Sequence, residues 1–97
     1  MDEEWWKIER GAASSEGYSV EFTSGPGIVY TRGDFRLRID SEYLLREPLT
    51  VVLYKRGTRT DLARDEVDRL FERAARAIRF LGYGVEIADW DELLDNG

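Results

Sequence analysis

Asp89, Asp91, Glu92 and Asp95 form the densest group of side chains in this sequence that could do chemistry. Clustered carboxylates offer the oxygen ligands that a hard cation takes. The group lacks the turn glycine and the twelfth-position glutamate of a calcium loop, so it reads as a solvated acidic tail without a metal. Two acids can also divide general acid and base work, but nothing in the spacing sets two of them face to face across a cleft. The chain has no histidine and no cysteine. That removes imidazole proton transfer, thiolate attack, the histidine-dependent serine triad and zinc held by Cys or His. Ser14, Ser15 and Ser24 stand among glycines without a partner base and read as turn residues. Gly25-Pro26-Gly27 has neither the lysine nor the spacing of a phosphate loop. The expectation is a protein that is not an enzyme, holds no cofactor, and acts through the shape and charge it presents.

Charge is spread unevenly along the 97 residues. Of the net −6, residues 1–31 carry −4, residues 32–79 carry +3, and residues 80–97 carry −5. Both ends would repel a nucleic acid, whose binding needs a strong basic footprint. An acidic surface instead suits a basic protein partner. No run approaches the roughly 20 apolar residues that a bilayer requires, and the acidic Asp2-Glu3-Glu4 start is unlike a signal peptide. A cytoplasmic protein with no membrane partner is expected.

The elements that must position these groups follow from periodicity. Alternation with period two marks strands over residues 5–10, 18–22, 28–32 and 35–40. In the first of them Trp6 and Ile8 are expected inside and Trp5 outside. Residues 11–17 read as a loop, and residues 41–48 as an irregular connection with Tyr43, Leu44 and Leu45 covering a core edge. Leu49-Thr50-Val51-Val52-Leu53-Tyr54 is the best central strand. The period then shifts to 3.6: Val67, Leu70, Phe71, Ala74, Ile78 and Leu81 make one apolar stripe of a helix. Thr60 or Asp61 is placed to cap it, and Gly82 to close it. Residues 83–87 form a last strand. The predicted class is α+β, in the order β-β-β-β-β-α-β. A mainly antiparallel sheet of about six strands carries one long C-terminal helix on one face. The chain reads as a single domain, with an ordered core over residues 4–88 and an acidic tail over residues 89–97. The sheet's other face is expected to show Trp5, Lys7, Glu21, Arg36 and Arg38.

The helix's outer face is the more informative surface. At about 100° per residue, Arg69, Arg73 and Arg76 lie opposite the stripe, with Phe80 beside them. An aromatic there asks for cover. Either the tail folds back, so that Trp90 or Leu93 covers Phe80 and Asp89 or Asp91 meets the arginines, or this face meets a partner. Aromatic residues and arginine are typical interface anchors.

Three stretches carry a resemblance. Gly33-Asp34-Phe35-Arg36-Leu37-Arg38-Ile39-Asp40-Ser41-Glu42, the strand ending at Tyr54, and the run from Arg76 through Phe80-Leu81-Gly82-Tyr83-Gly84 to Ile87 resemble the immunity protein 74 family of bacterial polymorphic-toxin systems. The similarity covers roughly residues 18–88. It implies an α+β protein that neutralises a cognate toxin C-terminal domain by non-covalent binding, without a catalytic residue. Many such toxins are nucleases with basic clefts. The expected contacts are Asp89, Trp90, Asp91, Glu92 and Asp95, followed by Trp5 and the face of Arg69, Arg73, Arg76 and Phe80. The alternative is a small self-associating or adaptor module. The residues leave the oligomeric state open and lean towards a monomer.

Overall fold

The computed structural model describes residues 2–25 and 27–90. Seven strands, β1 (Trp5–Ile8), β2 (Gly11–Ser14), β3 (Tyr18–Phe22), β4 (Ile28–Arg32), β5 (Phe35–Leu44), β6 (Thr50–Tyr54) and β7 (Gly84–Ala88), lie side by side in chain order. The helix α1 (Arg64–Phe80) links β6 to β7. Every neighbouring pair is antiparallel except β6 and β7, which run parallel across the helical crossover. The class is α+β and the element order is the predicted one, with one strand added.

That strand is β2, where a loop was expected. Gly, Ala and Ser are weak strand formers, but pairing on both sides overrides the propensity: Trp6 faces Ala13 and Val20 faces Ala12. A Cβ on Gly11 would lie 1.8 Å from the Val20 carbonyl oxygen, so this crossing requires glycine. Ala12 and Ser14 are buried, and their small side chains lie where α1 comes down on the sheet. The register also reverses the expected faces of β1. Trp5 opposite Ser14 and Lys7 opposite Ala12 turn towards the helix side, whereas Trp6 turns away and is 50% exposed. One residue of register exchanges the two faces of a strand.

β5 runs to Leu44, past the predicted end at residue 40. Its first half, from Phe35 to Ile39, pairs with β4, and its second, from Asp40 to Leu44, pairs with β6. One ten-residue strand thereby joins the meander to the β6–α1–β7 unit. The core lies between this sheet and α1. Val67, Leu70, Phe71, Ala74 and Ile78 are buried against Val20, Ile28, Tyr30, Ile39, Val51 and Leu53, each large side chain contributing roughly 1.5–3 kcal/mol.

The helix ends are unequal. Ala63 occupies the N-cap with no side-chain hydrogen bond. Thr60, an expected cap, instead accepts a bond from the Leu62 amide in a turn of its own. Asp65 and Glu66 face the positive end of the dipole. At the other end Gly82 has φ 99°, its amide donates to the Arg79 carbonyl, and the Tyr83 amide donates to that of Ile78. This is the paired closure that a left-handed glycine permits. Among the described residues no helix is long and apolar enough to cross a membrane.

Candidate functional site

The expected partner residues fall into two groups on different sides of α1. Trp5, Arg69, Arg73, Arg76 and Phe80 lie along one flank. Asp89 and Trp90 lie by Arg64 and Asp68. Arg64 and Arg73, nine residues apart, point roughly 180° away from each other at about 100° per residue. Asp91, Glu92 and Asp95 lie outside the described residues, as does Leu93.

The first flank is organised by Glu3. Its carboxylate accepts hydrogen bonds from the Ser14 hydroxyl and, at 2.6 Å, from the Tyr18 hydroxyl, and it lies 3.3 Å from Arg76 Nε. The Glu3 side chain is 8% exposed. Burial works against its ionisation, but the bonds from Ser14 and Tyr18 and the charge of Arg76 outweigh that and hold its pKa below the ordinary value. Burial first, and the neighbouring Glu3 second, push Tyr18 up to about 12. Trp5 Nε1 lies 3.4 Å from the Tyr18 oxygen, and the Trp5 ring stacks on Phe80 with centroids 6.2 Å apart. Phe80, 41% exposed, is therefore half covered by β1 and not by Trp90. Ser14, expected in a turn, does have a carboxylate partner, but it is buried at the end of β2 and serves as a structural contact.

Next along this flank Arg69 and Arg73 edge a cavity of about 370 Å³. Leu62, Glu66 and Leu70 complete its helix side. Tyr30, Arg32 and Phe35 of the β4–β5 hairpin form the opposite wall. Arg69 also approaches Asp65 at 3.8 Å, as the i,i+4 spacing predicted. Arg76 meets Glu3, far away in sequence.

The second flank is a chain of charges centred on Lys55, whose side chain is 11% exposed, between the more exposed Asp68 and Asp89. Lys55 Nζ lies 2.8 Å from Asp68 and 3.3 Å from Asp89. Trp90 Nε1 donates to Asp68 at 2.9 Å, and the Arg64 guanidinium sits 4.8 Å over the Trp90 ring. Burial works against the Lys55 charge, but the two aspartates outweigh it and raise its pKa. Asp68 is lowered by its bond from Lys55, and Asp89 by the Trp90 amide and then Lys55. Trp90 thus docks on the helix's first turns, away from Phe80.

A third feature was only partly foreseen. Beyond the helix C-terminus an open groove is lined by Phe22, Tyr43, Leu45, Leu81 and Tyr83. Phe22 meets Tyr83 edge-on at 5.5 Å. Tyr43 and Leu45, expected to cover a core edge, are 40% and 90% exposed. Sequence reasoning missed Glu3, Tyr18, Tyr30 and Arg32, whose roles depend on which strand lies beneath the helix.

Among the described residues no three acids gather closely enough to hold a metal ion. Comparison of the chain with protein-family models, curated proteins and solved structures gives no match.

Proposed function

We propose that this chain is a cytoplasmic immunity-type protein that neutralises a bacterial toxin domain by non-covalent binding through the helix-bearing side. One observation carries the reading. Four of the five exposed large apolar residues among those described border that side. Phe35 edges the cavity with Arg69 and Arg73, Tyr43 and Leu45 edge the groove beyond the helix C-terminus, and Phe80 stacks on Trp5. Aromatic residues with arginine make up the energetic centre of protein interfaces. Single exposed apolar groups are ordinary, but their concentration on one side, with arginines at one edge, supports a partner there. The sequence resemblance supplies the class of that partner, and the lack of histidine and cysteine fits a role without chemistry. Of the acids first expected to make contact, Asp89 is engaged by Lys55 and Asp91, Glu92 and Asp95 lie outside the described residues, so the reading is argued from the helix flank. Titration calorimetry against the toxin domain encoded beside the gene tests this. A Phe80→Ala, Arg73→Ala double variant is expected to bind at least tenfold more weakly, and wild-type affinity would reject the surface.

A second reading, self-association, is favoured by Trp6 alone. It is half exposed on β1, an edge strand of the sheet. Sedimentation velocity separates the two: a monomer at all concentrations rejects pairing through that edge.

A further inference from the structure

Tyr30 is 1% exposed, and its hydroxyl has no hydrogen-bond partner among the described residues. The ring is held on two sides, stacked on Tyr18 with centroids 5.4 Å apart and touched edge-on by Phe35 at 6.4 Å. A phenylalanine would fill the same space without leaving a buried hydroxyl unpaired, a change that generally stabilises a fold. The hydroxyl is therefore a cost to the free protein, and it belongs to a residue that walls the cavity between α1 and the β4–β5 hairpin. Arg32, Arg69 and Arg73 line the same cavity with one acid, Glu66, and Asp65 lies 3.8 Å from Arg69 behind it. Three bases against these two acids leave a local charge of +1 in a chain of net −6. Phe35, Leu62 and Leu70 supply apolar wall. A cavity of about 370 Å³ is within the size range of small-ligand sites.

We propose that this cavity binds a small organic acid, a carboxylate carried on a compact apolar body. Guanidinium groups present paired donors that match a carboxylate's two oxygens. The Tyr30 hydroxyl adds the donor that finds no acceptor within the chain. The apolar body lies against Phe35 and the two leucines. The hydroxyl is closed to solvent, so the carboxylate reaches it when a wall side chain turns aside; Phe35, 38% exposed, has the room to do so. This site does not depend on the toxin reading.

The test is an NMR titration of the isotope-labelled full chain at fixed ionic strength, with three probes: 3-phenylpropionate, its neutral counterpart 3-phenylpropanol, and inorganic phosphate. The acid is expected to give saturating shifts at the amides of Tyr30, Phe35, Leu62 and Leu70, with a dissociation constant on the order of a millimolar or below. The alcohol and phosphate are expected to bind at least tenfold more weakly. Tyr30→Phe should raise the unfolding midpoint yet weaken the acid about fivefold to tenfold, and Arg73→Gln should weaken it about tenfold. Four results overturn the proposal: no saturating shift from the acid, equal binding of the alcohol, equal binding of phosphate, or wild-type affinity in both variants.

Discussion

Each end of the described chain fastens a tryptophan to α1, and the two attachments differ in what surrounds them. At the N-terminal end Trp5 stacks on Phe80 and reaches the Tyr18 oxygen, beside a Glu3 carboxylate that is almost wholly enclosed. At the other end Trp90 bonds Asp68 beneath Arg64, among acids that are 46% and 68% exposed. The partners are alike: an indole N–H on an oxygen, and an acid on a base. Their strengths are not. The two ion pairs are equally half-enclosed, Glu3 8% and Arg76 43% exposed against Lys55 11% and Asp68 46%. What differs is that Glu3 also holds the Ser14 and Tyr18 hydroxyls of the sheet, whereas the Asp89 arm is open to water and contributes little. Both tryptophans pack against the core, but the N-terminal attachment is tied into the sheet by more bonds than the C-terminal one.

Four substitutions can break or sharpen that contrast. Trp5→Ala should cost about 3 kcal/mol in urea unfolding, because it removes the stack on Phe80 and opens space beside the core. Glu3→Gln comes next, at about 2 kcal/mol, since it strips the charge from an enclosed set of hydrogen bonds. The folded Glu3 carboxyl titrates below its ordinary 4.5. Its contribution is thus complete above that pH and fades as the pH falls through the lower folded value. The wild type should lose stability on acidification more steeply than Glu3→Gln does. The same variant should bring Tyr18 down from about 12 towards its ordinary 10 in an absorbance titration. Trp90→Ala should cost about 1 kcal/mol, the scale of a cation–π contact with a half-buried ring. Asp89→Asn should leave the midpoint unchanged, and added salt should erase any residual effect. If Trp90→Ala proves costlier than Trp5→Ala, the contrast is reversed.

The helix and its apolar stripe were legible because 3.6-residue periodicity is written in consecutive positions, and so was the closure at Gly82. The alternating run from Phe35 was equally local. What the sequence hid depends on pieces far apart. β2 has the composition of a loop and is a strand only because neighbours on both sides bind it. The faces of β1 turn on a register set by that same pairing, which is why Trp5 and Trp6 exchanged places. Any of the chain's 20 acids could pair with Arg76; that Glu3 does follows from the N-terminal segment lying along β2. On the candidate site, the helix-flank residues were found from angular position alone, whereas Tyr30 and Arg32 needed the fold. Of the two covers expected for Phe80, Trp90 lies elsewhere on the helix and Leu93 is outside the described residues. Trp5 stacks there instead, because a helical wheel shows which side is exposed but not which strand lies next to it.

The central claim is that the helix-bearing side meets a protein partner. Cross-saturation NMR on the labelled chain, bound to the proposed toxin partner, tests this most directly. The account predicts signal loss at Phe35, Arg69, Arg73 and Phe80, extending to Tyr43 and Leu45. Signal loss confined to Trp6 and the outer face of the sheet, around Arg36 and Arg38, would contradict it.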